Sequence, residues 1–80
     1  MKKRSVSLHA HQTSIALEPE FWAVIDAHIG ENNLPLARFI AAMDDARAEE
    51  NPDQGLASYL RVWCLEKAAG SSMFKTDKSH

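Results

Sequence analysis

The chain is poor in the features that small proteins use to compensate for a small core. Its 80 residues contain one cysteine, Cys64, so an intramolecular disulfide is excluded. No four-ligand cysteine and histidine pattern for structural zinc is present, and no run approaches the ~20 apolar residues that span a bilayer. With 45% hydrophobic residues the chain makes one domain near the lower size limit for an independent core. Dimerisation is the remaining way to stabilise so small a core.

Targeting and catalytic patterns are also missing. The basic start MKKRSVSLHAH is followed by no continuous apolar segment, which predicts a cytoplasmic protein without a signal peptide. No serine stands with a histidine and an acid in a recognisable motif, and the three glycines are scattered singly. We therefore expect a protein that is not an enzyme and that needs no cofactor.

Charge is distributed unevenly along the chain. The net charge of -2 argues mildly against a nucleic-acid partner. However, Lys2, Lys3 and Arg4 stand in residues 1–17 without any acid, whereas residues 18–80 hold six basic and eleven acidic side chains. We interpret residues 1–11 as a basic N-terminal arm with a short strand; a solubilising tail is the alternative.

An alternating pattern over residues 5–17 predicts extended structure. The residues that suit one face fall into two sets of opposite parity: Val6, Leu8 and Ala10, then Thr13, Ile15 and Leu17. Because a slip of one residue moves every side chain to the other face, we expect a bulge or bend over residues 9–12. The main strand is predicted over residues 12–17.

Three helical patterns follow. Pro19, flanked by acids, predicts the start of the first helix, which ends near Gly30. The second begins at Leu34 and Pro35. The third is expected from an Asn51 cap to about Ala69, with Cys64 as a small buried side chain in the apolar run VWCL. The helical domain therefore covers residues 12–69, and residues 70–80 are predicted to be a flexible tail.

The predicted order of one strand and three helices leaves the strand without a partner of similar length in its own chain. A second copy supplies that partner through an antiparallel pairing across a twofold axis. The expected dimer core consists of apolar residues from the strand and the first two helices, with one threonine: Thr13, Ile15, Leu17, Trp22, Ile25, Phe39 and Ile40.

These segments carry a family resemblance. RSVSLHAHQTSIALEPEFW, followed by LPLARFIAAMDDAR and GLASYLRVWCLEKA, resembles the short stand-alone ribbon-helix-helix domain proteins of bacteria over roughly residues 3–68. The resemblance implies a mainly α fold with one β-strand, an intertwined homodimer with an intersubunit antiparallel ribbon, and an extra C-terminal helix. The Arc and methionine repressors of the wider superfamily insert such a ribbon into the major groove of DNA.

That mode of binding assigns roles to particular residues. If Thr13, Ile15 and Leu17 point into the core, period two makes the residues between them contact bases: Gln12, Ser14 and Ala16. Phosphate contacts are expected from the basic arm and from the start of the second helix: Lys3, Arg4, Asn33, Leu36 and Arg38. Pro35 offers no side-chain hydrogen bond or amide at the cap, so Asn33 is the substitute.

Two function classes remain open. The first is a sequence-specific transcription regulator that binds double-stranded DNA in the nucleoid. The alternative is a dimeric interaction module, antitoxin-like or adaptor-like, that binds another protein through the third helix or the tail. His9 and His11 share a face on extended chain, but no third ligand is near in sequence, so no metal site is expected.

Overall fold

The structure is a computed structural model that describes the backbone of residues 1–78 and the side chains of residues 1–70. In chain order the elements are β1 (Lys2–Leu8), β2 (His11–Leu17), α1 (Pro19–Glu31), α2 (Leu36–Glu50) and α3 (Leu56–Lys78). Over the described part of the chain, none of the helices combines the length and apolarity needed to span a membrane.

The two strands form an antiparallel hairpin within one chain. Leu8 lies opposite His11, and the pairing continues to the far end of both strands. His9 and Ala10 form the turn between them, with φ angles of 50° and 67°. Positive φ at both positions is typical of the two-residue turns whose twist matches that of the flanking strands. The bend predicted over residues 9–12 is therefore a full chain reversal.

The prediction that the main strand has no partner in its own chain is wrong. The segment interpreted as a basic arm forms β1, which at seven residues is as long as β2. Four residues of β1 lie on the same face as the core-facing residues of β2: Lys2, Arg4, Val6 and Leu8. Two of the four are charged, so the apolar alternation expected of a strand is incomplete in β1. The observed ribbon consequently belongs to a single chain.

The core lies between one face of the hairpin and the three helices. Six of the seven residues predicted for a dimer core are buried within one chain: Ile15, Leu17, Trp22, Ile25, Phe39 and Ile40. Thr13 is half-buried. Four further buried residues come from β1, α2 and α3: Val6, Met43, Leu60 and Cys64. One chain therefore has a closed apolar core of its own.

Helix α3 is part of this core. Leu60 is 0% exposed and Cys64 is 1% exposed, as expected for a small buried side chain. The Cys64 thiol donates to the carbonyl oxygen of Phe21 at 3.6 Å, and burial raises the pKa of the thiol to about 11. Because the thiolate is the reactive form, this cysteine is a packing residue.

The helix boundaries differ from the predicted ones at two places. The segment from Asn51 to Gly55 is a turn rather than the first turn of a helix, and the Arg47 guanidinium donates to the carbonyl oxygen of Gln54 at 3.0 Å. At the other end α3 continues beyond Ala69 to Lys78. The side chains of residues 71–80 and the backbone of residues 79–80 lie outside the described residues, so a flexible tail remains a prediction.

The turn generates a stability prediction. Alanine in the left-handed region destabilises the folded state by about 1–2 kcal/mol, and glycine removes this cost. Glycine in turn loses more conformational entropy on folding than alanine, which offsets about 0.5–1 kcal/mol of the gain. Ala10→Gly should therefore raise the free energy of unfolding by about 0.5–1 kcal/mol in a urea titration. Ala27→Gly, at an exposed position inside α1, is the matched control and should lower it by about 1 kcal/mol. A destabilising Ala10→Gly would contradict the turn geometry.

Candidate nucleic-acid interface

The face of the hairpin opposite the core presents six side chains, which we call the outer ribbon face. They form three cross-strand pairs: Lys3 with Ala16, Ser5 with Ser14, and Ser7 with Gln12. Five of the six are exposed, and Ala16 is half-buried. The predicted base-contacting residues thus lie in one line along β2, and the structure adds a parallel line along β1.

The outer ribbon face is polar and carries no acid. Its only formal charge is that of Lys3, and residues 2–17 as a whole contain three basic side chains and no carboxylate. The serine hydroxyls donate and accept hydrogen bonds, the Gln12 amide does both at once, and the Ala16 methyl group offers an apolar contact. These are the groups that recognise base edges in the major groove.

The sequence did not identify Ser5 and Ser7 as part of this surface. The available signal was their parity, because both alternate with Val6, which is 6% exposed. This alternation indicates a full strand only if a second strand is available to pair with it. That second strand, β2, is evident only once the chain reversal at His9 and Ala10 is known.

Arg4 lies on the opposite face from Lys3. Its Nη1 and Nη2 atoms donate to Oδ1 and Oδ2 of Asp26 at 2.7 and 2.8 Å, and its guanidinium stacks 4.5 Å from the ring centre of Trp22. The hydrogen bond from Arg4 lowers the pKa of Asp26 below its ordinary value and raises the pKa of Arg4. The structure therefore gives Arg4 a fold-supporting position, not the expected place beside Lys3 on an arm.

A second ion pair holds the base of the hairpin. Glu18 directly follows β2, and its carboxylate accepts a hydrogen bond of 2.9 Å from Nε of Arg61 on α3. This hydrogen bond lowers the pKa of Glu18 below its ordinary value. The Glu18 carbonyl oxygen accepts from the amides of Phe21 and Trp22, which starts α1. The strand and two helices are thus joined at one residue.

The start of α2 has free backbone donors but no side-chain cap. Pro35 is the N-cap residue, and Asn33, with φ of 50°, does not replace it as a hydrogen-bonding cap. The first intrahelical bond runs from the amide of Phe39 to the carbonyl of Pro35 at 3.1 Å, so the amides of residues 36–38 precede it. The first turn contains no acid, and Arg38 is exposed. Leu36 and Arg38 remain predicted phosphate contacts.

Comparison with known proteins agrees with this architecture. The family described as Ribbon-helix-helix domain matches residues 1–68, which include the hairpin, α1, α2 and the part of α3 that enters the core. No curated protein matches the chain, and no solved structure matches it. The chain belongs to the ribbon-helix-helix domain family.

Proposed function

We propose that the protein is a sequence-specific, non-enzymatic DNA-binding regulator of transcription that reads the major groove with β2. Ribbon-helix-helix domains are in general DNA-binding transcription regulators or antitoxins, and they are typically dimeric. The observation that carries the proposal is the acid-free outer ribbon face, on which Gln12, Ser14 and Ala16 are aligned along one strand. A bacterial protein with this role acts in the cytoplasm, at the nucleoid.

A homodimer through β2 is the arrangement that this surface favours. In residues 1–78 the sheet has two strands, so each strand has one edge without a strand partner. The pair beside a two-residue turn is hydrogen-bonded, and bonded pairs alternate with non-bonded pairs along the ladder. The backbone groups of Gln12, Ser14 and Ala16 then point towards the open edge of β2, where an antiparallel second copy pairs with Ser14 at the twofold axis.

In this dimer, β2 contacts the DNA bases and β1 contacts the phosphates. Neighbouring strands lie ~4.8 Å apart, so the outermost two of four strands are separated by roughly 14 Å. The major groove is ~12 Å wide and admits a two-stranded ribbon. The two central β2 strands therefore fit the groove, while Lys3 on each flanking β1 comes to the phosphates at its rims.

One observation favours the alternative class, a protein-interaction module. Among the described side chains of helix α3 (residues 56–70), two large apolar ones are exposed, Val62 at 44% and Leu65 at 58%, one turn apart on the same side of the helix. Such a pair is an anchor for a protein partner rather than for DNA. An interaction of this kind should weaken little with salt, whereas DNA binding must weaken steeply.

Base readout by β2 is tested by alanine substitutions on duplexes that the native protein selects from a random library. Gln12→Ala and Ser14→Ala should each reduce the preference for selected over random DNA by ~1–3 kcal/mol, the value of a base-edge contact. Ser5→Ala is the matched control, because Ser5 lies directly opposite Ser14 on the same face. It should leave the preference unchanged. Two chains should bind each selected duplex.

Equal effects of Ser5→Ala and Ser14→Ala would contradict the assignment of bases to β2. If no salt-sensitive DNA binding is found for the native protein, the function proposal fails and the interaction class is favoured.

Lys3 and Arg4 should have separable roles although they are adjacent. Lys3→Ala should weaken binding to selected and random DNA equally and reduce the slope of log affinity against log salt by roughly 0.9 for each phosphate that is no longer neutralised, with stability unchanged. Arg4→Ala should lower the free energy of unfolding by about 1 kcal/mol, because it removes an ion pair and a cation–π contact. Gel shifts over a salt series and urea titrations measure the two effects. A loss of stability in Lys3→Ala, together with a reduced salt slope in Arg4→Ala, would contradict the placement of Lys3 on the outer ribbon face and of Arg4 on the core side.

A further inference from the structure

The tip of the hairpin meets α2 at a cluster of three potential metal ligands. Nε2 of His9 lies 3.1 Å from Oδ1 of Asp45 and 3.5 Å from Oδ2 of Asp44. The three ligand atoms are all within 4.8 Å of one another. The imidazole comes from the turn and the carboxylates from the middle of a helix, so distant parts of the sequence converge here.

The spacing of these atoms suits a shared cation. Zinc ligands lie ~2.0–2.2 Å from the ion, which places neighbouring ligand atoms roughly 3.0–3.5 Å apart in octahedral or tetrahedral geometry. Both distances from His9 fall in that range. The carboxylate oxygens of Asp44 and Asp45 lie within 4.8 Å of each other, so one ion can be shared after side-chain rotation.

The carboxylate of Asp44 and the backbone of His9 are already held in position. Oδ1 of Asp44 accepts a hydrogen bond of 3.0 Å from Nε of Arg47 and lies 3.0 Å from Nη2 in the same ion pair, so that Oδ2 is the oxygen directed at His9. His9 is the first turn residue, with φ of 50°, and its backbone is fixed by the hairpin. Asp45 is 69% exposed, which leaves access for the ion and its waters.

We propose that His9, Asp44 and Asp45 bind a divalent first-row transition-metal ion that ties the hairpin tip to α2. One neutral imidazole and two carboxylates form a ligand set that suits zinc and its neighbours, and the imidazole disfavours calcium and magnesium. Water completes the coordination. His11, which the sequence associated with His9, is not one of the three ligands.

Binding of the ion stabilises the folded chain, because the unfolded chain does not bring the turn and the helix together. The stabilisation grows with the logarithm of free ion concentration above the dissociation constant.

The experiment measures zinc binding to the native protein by calorimetry and its Tm with and without zinc. Zinc should bind at one site per chain and raise the Tm, and EDTA should reverse the rise. His9→Asn and Asp45→Asn should each lower the affinity at least tenfold, since each removes a ligand. Asparagine is chosen at His9 because it tolerates positive φ and preserves the turn. His11→Asn is the matched control and should change the affinity less than twofold.

Unfolding curves of the metal-free variants distinguish removal of a ligand from disruption of the fold. Three results overturn the proposal: no saturable zinc binding by the native protein, unchanged affinity in folded Asp45→Asn, or an equal decrease in His11→Asn, which indicates a site made of the two histidines. No DNA is present in the test, so its outcome is independent of the proposed function.

Discussion

The chain reversal at His9 and Ala10 is the constraint on which the rest of the structure depends. It pairs Leu8 with His11, and this register decides the face of every side chain in both strands. A shift of one residue would turn the apolar residues to solvent and the serines to the core. The turn is made by two residues with positive φ, of which neither is glycine. The packing of the core-facing side of the hairpin must therefore compensate for the conformational cost of the turn.

That packing joins the hairpin to the helices through its core-facing side. An isolated two-stranded hairpin is marginally stable in water, so its stability must come from what covers it. Trp22 is 1% exposed beneath Arg4, and its indole N–H donates to the carbonyl oxygen of Lys2 at 2.8 Å. With Leu60 and Cys64, α3 completes the same core. The third helix thus supplies apolar burial in a chain whose single cysteine excludes an intramolecular disulfide.

Much of this arrangement could be predicted from the sequence. The periodicity of the helices, the start of α1 at Pro19 and the burial of Ile15 and Leu17 follow from apolar spacing and proline chemistry. The outward line of Gln12, Ser14 and Ala16 follows from period two. These features depend on neighbours in sequence, which is why local patterns are sufficient to predict them.

The features that were missed depend on contacts between distant residues. Arg4 interrupts the apolar pattern of β1, and its place on the core side is explained by Asp26 and Trp22, which the sequence does not connect to it. The cluster at the hairpin tip likewise needs α2 to bring Asp44 to His9. The predicted end of the third helix near Ala69 is a further difference, because the φ of the following Gly70 is not positive and α3 continues through it.

Isotope-filtered NMR can show whether β1 and β2 of the same chain form the ribbon. The sample mixes chains labelled with carbon-13 and nitrogen-15 with unlabelled chains. Ser5 and Ser14 form a non-hydrogen-bonded pair in this register, which brings their Hα atoms into close contact. We expect a strong Ser5–Ser14 Hα contact within labelled chains and none between labelled and unlabelled chains. A contact found only between chains would show that β1 pairs with β2 of a second copy, which would contradict a hairpin within one chain.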